Sequence, residues 1–123
     1  MPTVLLIVED DPLMNRMYNK IFTFEGYKVV SAGDGVEGLQ KVRDEKPTVI
    51  LLDIMMPKMN GLEVLDKLKA DPETKSIPVV MLTNQNDERD ITEAKKMGIA
   101  GYIVKSAATP SEVVNEVMKI IKK

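Results

Sequence analysis

Five short apolar runs alternate with stretches whose apolar residues recur at helical spacing, and this alternation limits the fold more than any other feature of the chain. The runs are Val4–Val8, Val29–Val30, Val49–Leu52, Val79–Leu82 and Tyr102–Val104. Several are continuous rather than alternating, as expected of strands covered on both faces. Between them, residues 12–25 carry Leu13, Met17, Ile21 and Phe24, and residues 35–45 carry Val36, Leu39 and Val42. Residues 61–70 carry Leu62, Leu65 and Leu68, and residues 87–97 carry Ile91, Ala94 and Met97. Residues 110–122 carry Val113, Val117, Ile120 and Ile121. These spacings of three and four place one apolar stripe on each predicted helix.

Punctuation agrees with those boundaries. Asp11-Pro12 reads as an N-cap with proline at the first helical position. Thr109-Pro110-Ser111-Glu112 reads as a capping box. Gly26 and Gly98 stand where helix C-caps belong. Strands joined by single helices predict an α/β fold of the (βα)5 type, a doubly wound parallel five-stranded sheet. The 123 residues fit one domain, 1–123.

Composition then removes whole classes of chemistry. The chain has no cysteine and no histidine. Disulfides, thiolate sites, histidine-bound zinc and Ser-His or Cys-His nucleophiles are excluded. Acid–base or metal chemistry must come from carboxylates, lysines, hydroxyls and backbone. A net charge of −2 offers no footprint for nucleic acid or an anionic membrane. The apolar start, Val4–Val8, is too short for a signal peptide or a membrane span. The expected location is the cytoplasm, without direct nucleic-acid or membrane binding.

In an open α/β sheet, ligands bind beyond the C-terminal ends of the strands. The first strand is followed by Glu9, Asp10 and Asp11, and the third ends in Asp53. The fourth ends in Thr83 and the fifth in Lys105. Clustered carboxylates repel each other, and a hard divalent cation relieves that repulsion. Oxygen ligands alone favour Mg²⁺ over zinc or copper. A lysine and a hydroxyl nearby supply donors for an arriving anion. Carboxylate, Mg²⁺, lysine and hydroxyl together suit phosphoryl transfer, with an aspartate as the attacking group. Asp11, just before Pro12, is expected to cap the helix rather than ligate metal.

The residues Val8-Glu9-Asp10-Asp11, Asp53-Ile54-Met55-Met56-Pro57-Lys58-Met59-Asn60-Gly61, Thr83 and Lys105 resemble, in order and spacing, those of receiver domains of two-component response regulators. The resemblance covers the whole chain and implies the flavodoxin-like strand order 2-1-3-4-5. It implies a switch that takes a phosphoryl group from a phosphohistidine donor onto Asp53, catalysing its own phosphorylation and a slow autodephosphorylation. By the same resemblance, Asp10, Asp53 and the backbone carbonyl of Met55 are direct Mg²⁺ ligands, with Glu9 acting nearby through water. Lys105 contacts the phosphoryl oxygens, and Thr83 moves to bond them. Tyr102 stands where the family's switch aromatic stands. From its own surroundings in sequence it reads equally as a core aromatic.

The family often has proline after the lysine, in a cis bond. Here Ser106 follows Lys105, which leaves either a trans loop or a strained cis bond. Members tune dephosphorylation through the side chains two residues beyond the phosphoacceptor and two beyond the threonine, here Met55 and Gln85. Met55 has no group to orient water, so a fairly long-lived phosphoryl state is expected. The implied upstream partner is a histidine kinase or phosphotransfer protein docking near Leu13, Met14 and Met17. The implied output is a downstream effector or a second copy, met through the fourth helix, fifth strand and fifth helix. The charged fourth helix, with its thin apolar stripe, is expected to be a mobile, low-stability element. Whether the chain stands alone or belongs to a longer regulator, the sequence leaves open.

Two other classes compete. Gly33-Asp34-Gly35-Val36-Glu37-Gly38 matches G-x-G-x-x-G after a strand, with Asp53 about 20 residues on, as a dinucleotide-binding loop requires. It sits in the second βα unit, however, and leaves Glu9, Asp10, Thr83 and Lys105 unexplained. The plainer reading is that Gly33 and Gly35 shape a turn while Gly38 permits close packing. The other alternative is a receiver-like interaction module that is never phosphorylated, which the intact Asp10, Asp53, Thr83 and Lys105 disfavour.

Overall fold

The computed structural model describes residues 3–83 and 88–121. Strand and helix alternate throughout: β1 (Val4–Val8), α1 (Pro12–Phe24), β2 (Lys28–Ala32), α2 (Gly35–Glu45), β3 (Val49–Asp53), α3 (Gly61–Ala70), β4 (Val79–Thr83), α4 (Glu88–Lys96), β5 (Gly101–Val104) and α5 (Pro110–Ile121). The strands are all parallel and lie in the order β2-β1-β3-β4-β5. This is the doubly wound, flavodoxin-like (βα)5 sheet expected from the sequence.

Strand alternation divides the core in two. Leu6, Val8, Ile50, Leu52 and Met81 face α2, α3 and α4, where they meet Val42, Val64, Leu65, Leu68 and Ala94. Leu5, Ile7, Leu51, Val80 and Leu82 face α1 and α5, where they meet Tyr18, Phe22, Val113 and Val117. Every residue of β3 and β4 is buried, which explains their unbroken apolar runs.

β2 is longer than its apolar run. It extends from Lys28 to Ala32 because all five residues pair in register with β1, from Val4↔Lys28 to Val8↔Ala32. Backbone pairing, not side-chain hydropathy, sets the length of this edge strand. β3 and β4 likewise run one residue further than their apolar stretches and take in Asp53 and Thr83.

The helix ends follow their local signals. Asp11 accepts hydrogen bonds from the Leu13 and Met14 N–H groups at 2.9 and 3.4 Å, as an N-cap should. Thr109 and Glu112 close the capping box at the start of α5, with bonds of 2.9 and 3.2 Å. Gly26 and Gly98 adopt φ of 95° and 89°, a region open to glycine at little cost. α2 stops without a glycine: Lys46 takes the left-handed conformation at φ 46°, immediately before Pro47.

Candidate functional site

β1 has β2 on one side and β3 on the other, so the strand order reverses between β1 and β3. A crevice at the C-terminal edge of the sheet belongs there. It is lined by Glu9, Asp10, Asp11, Met14, Asp53, Met55, Lys105 and Ser106. Glu9, Asp53 and Thr83 are the buried polar or charged residues of the described chain, each about 1% exposed. All three stand at strand ends.

Lys105 joins the carboxylates. Its Nζ lies 2.5 Å from Glu9 Oε1 and 2.8 Å from Asp53 Oδ2. It reaches them because its backbone N–H donates to the Thr83 carbonyl at 2.8 Å, continuing the β4–β5 pairing past the strand end. The Met55 N–H donates to Asp53 Oδ1 at 3.2 Å, so both oxygens of Asp53 accept a hydrogen bond. Glu9 Oε2 accepts from the Asp11 N–H at 3.2 Å.

One carboxylate oxygen from each of Glu9, Asp10 and Asp53 lies within 4.8 Å of the others, the sole such cluster among the described residues. Burial pushes the Glu9 carboxyl above its ordinary range, and Asp53 adds to this against the pull of Lys105. Asp10 is raised as well, by desolvation and then by Glu9. Burial acts to lower Lys105, but Asp53 and Glu9 outweigh it and hold its proton more firmly than usual. Three acids facing one ammonium leave negative charge unbalanced, and hard oxygen donors at this spacing suit a divalent cation such as Mg²⁺.

Thr83 supplies the second donor. Its buried Oγ1 has no hydrogen-bond partner among the described residues. An orphaned hydroxyl costs on the order of 1–3 kcal/mol, which makes it a ready donor for a group bound beside it. Tyr102, two residues before Thr83's strand partner Val104, is 40% exposed. It is therefore not a core aromatic. Lys95 Nζ sits 5.0 Å from the centre of its ring, a cation–π contact.

Comparison with known proteins decides the family. The profile of the response regulator receiver domain matches residues 5–118. The chain belongs to the receiver domain family. It is 36% identical over 118 residues to hybrid signal transduction histidine kinase D of Dictyostelium discoideum, covering 96% of this chain and 8% of that protein. It is also 36% identical over 113 residues to the DNA-binding response regulator MtrA of Mycolicibacterium smegmatis, covering 92% of this chain and 48% of MtrA. The chain thus spans under half the length of both relatives. The solved structure of Vibrio cholerae chemotaxis protein CheY4 superposes with a TM-score of 0.91 at 28% identity, covering 98% of this chain and 99% of that one. A receiver domain is a phosphoacceptor switch of two-component signal transduction. Neither the dinucleotide reading nor that of a never-phosphorylated module is favoured.

The receiver's glycine-rich segment has a structural explanation. Asp34 caps α2 by accepting from the Glu37 N–H at 2.8 Å, and Glu37 Oε1 accepts from the Gly33 N–H at 2.8 Å. Those N–H groups are thereby already satisfied by side chains. A Cβ on Gly35 would lie 2.7 Å from Val64 Cγ2 and 2.8 Å from the Met59 carbonyl. Neither Gly33 nor Gly35 has a positive φ. Gly35 therefore serves close packing rather than a turn, while Gly38 packs on Val8 as expected.

The structure brings Glu9, Asp10, Asp53, Met55 and Lys105 into one crevice, with Thr83 at the end of the adjacent strand. It places Glu9 directly on Lys105. No cis peptide bond occurs among the described residues, so Lys105–Ser106 is trans. Gln85 lies outside the described residues. Two supporting residues carried no role in the sequence reading. Asn15 Nδ2 donates to the carbonyls of Glu9 and Ala32 at 2.9 and 3.0 Å, pinning the backbone that carries Glu9. A Cβ on Gly61 would come within 2.3 Å of the Asp53 carbonyl, so α3 can begin against the Asp53 backbone with glycine alone.

Proposed function

We propose that Asp53 is the phosphoacceptor and that the donor is the phosphohistidine of a histidine kinase or phosphotransfer protein. The observation that carries this reading is a buried aspartate at the switch point of the sheet, paired with Lys105, with the Thr83 hydroxyl, unpartnered among the described residues, at the end of the neighbouring strand. An Asp53 oxygen attacks phosphorus, the P–N bond breaks, and the departing imidazole nitrogen keeps the electron pair and takes a proton. The product is an acyl phosphate on Asp53.

Lys105 neutralises the incoming phosphoryl oxygens with the ammonium that pairs with Asp53 beforehand. Thr83 donates its free hydroxyl to the same oxygens. Asp10, Asp53 and the Met55 carbonyl would hold Mg²⁺, with Glu9 beside it. Bound there, Mg²⁺ supplies charge neutralisation and orientation for the transferring group. Phosphorylation adds roughly −1.5 to −2 charge and three strong acceptors, enough to draw Thr83 inward and vacate space for Tyr102. The surface of α4, β5 and α5 then changes for an effector or a second copy. Leu13, 72% exposed at the start of α1, together with Met14 and Met17, offers an apolar docking patch beside the crevice for the donor protein. No helix among the described residues is long and apolar enough to cross a membrane. A cytoplasmic site of action fits the location of histidine-kinase signalling.

The test is labelling with a small acyl phosphate donor and Mg²⁺, read by intact mass. Wild type should gain one phosphoryl group and Asp53→Ala none. Label that survives the substitution overturns the assignment. The label on wild type should persist well beyond seconds after donor removal.

A further inference from the structure

Among the described methionines, Met55 is the exposed one, with 56% of its surface open; the rest are half-buried or, for Met81, buried. Its place is the wall of the crevice that holds Asp10, Asp53 and Lys105. Its own N–H is bonded to Asp53 Oδ1 at 3.2 Å, which fixes the residue against the acceptor carboxylate. The chain has no cysteine, so thiol oxidation is closed to it and the thioether is its soft, oxidisable sulfur. The crevice therefore pairs an accessible sulfur with the reactive carboxylate.

We propose that Met55 is a redox-modification site whose oxidation to the sulfoxide shortens the life of the phosphoryl group on Asp53. The inference rests on Asp53 being the phosphoacceptor. The oxidant is a peroxide. A sulfur lone pair attacks the terminal peroxide oxygen, the O–O bond breaks, and an S=O bond forms. Sulfur is oxidised by two electrons, and the peroxide leaves as water or an alcohol after taking a proton.

The physical consequence follows from the change in polarity. Hydrolysis of an acyl phosphate requires a water molecule held in line with the bond that breaks. A thioether is apolar and a weak acceptor, so it holds no such water. A sulfoxide is a polar acceptor on the same flexible chain. At the wall of this crevice it can hold water beside the phosphoryl group. The substitution of one surface for the other asks nothing of the core, because the side chain is exposed.

The test begins with the unphosphorylated chain and hydrogen peroxide, with the added oxygen mapped by peptide mass spectrometry. The chain is then phosphorylated with a small acyl phosphate donor at saturating Mg²⁺, the donor is removed, and loss of label is timed. Met55 should be oxidised ahead of the other methionines, and the half-life should fall several-fold. Met55→Leu should keep its half-life after the same peroxide treatment. Met55→Gln, whose amide oxygen copies the sulfoxide acceptor, should show the short half-life without peroxide. Earlier oxidation of another methionine, an unchanged or longer half-life, an equal response from Met55→Leu, or a long-lived label on Met55→Gln overturns the inference. Failure of the untreated chain to take label at Asp53 overturns the parent reading, and this inference with it.

Discussion

Glu9 is buried among acids, with the Lys105 ammonium opposite it. Its carboxyl is raised, so the folded chain binds that proton more tightly than the unfolded chain does. Between the ordinary value of 4.5 and the raised one, the folded state therefore holds more protons, and stability falls as pH rises through the window. Above the raised value the penalty is complete. In metal-free buffer Glu9→Gln should melt above wild type at pH 7, and the gap should close as pH is lowered toward 4.5. Thermal melts across pH check this, and a Glu9→Gln advantage that persists unchanged in acid contradicts it. Mg²⁺ held among these acids would relieve their repulsion, so it should raise the melting temperature of wild type more than that of Glu9→Gln. Lys105 is the opposite case: removing one member of a buried pair strands the other. Lys105→Met should destabilise the metal-free fold by about 3 kcal/mol, the low end for a buried pair because the lysine keeps some exposure. Urea unfolding measures it. Asp10, Asp53, Thr83 and Lys105 were all legible as strand-end chemistry. Asn15 was not, because its role is a pair of bonds to backbone carbonyls that come together after folding.

The helices differ in how firmly they are held. α3 is fixed by a capping box, with Asn60 Oδ1 accepting from the Glu63 N–H at 3.0 Å and Glu63 Oε1 accepting from the Asn60 N–H at 3.3 Å. Asn60→Ala should cost about 1 kcal/mol by chemical denaturation. Its neighbour Gly61 should be less forgiving. Gly61→Ala forces a methyl against the Asp53 carbonyl and should both destabilise the fold, by about 1–3 kcal/mol, and slow labelling of Asp53. α4 stands at the other extreme, for Ala94 is its one buried residue. Amide exchange should be faster in α4 than in α1 or α3, as expected of an element with few buried contacts. Equal protection in the three helices would contradict this. Its thin apolar stripe was visible in the sequence. The Lys95 contact that covers the Tyr102 ring was not, since a charged residue on a charged helix has many possible partners.

Across the whole molecule, the site is held by the ends of separate strands. Glu9 follows β1, Asp53 ends β3, Thr83 ends β4 and Lys105 follows β5. Lys105 spans 96 residues of sequence to reach Glu9 and 52 to reach Asp53. In the function proposed above, a change at Asp53 would pass through Lys105 and Thr83 to the edge of the sheet where Tyr102 and α4 lie. The sequence by itself determined the five βα units, their caps and the chemistry available at the strand ends, because periodicity and residue type are local properties. It also excluded every mechanism that needs a histidine or cysteine from this chain. Tertiary structure decided what depends on long-range pairing. It extended β2 to match β1, and it turned the glycine-rich segment into a packing surface under α3 and β1. It set Glu9 against Lys105, exposed Tyr102 and Met55, and left the Thr83 hydroxyl without a partner among the described residues. Each depends on which groups meet once the sheet closes.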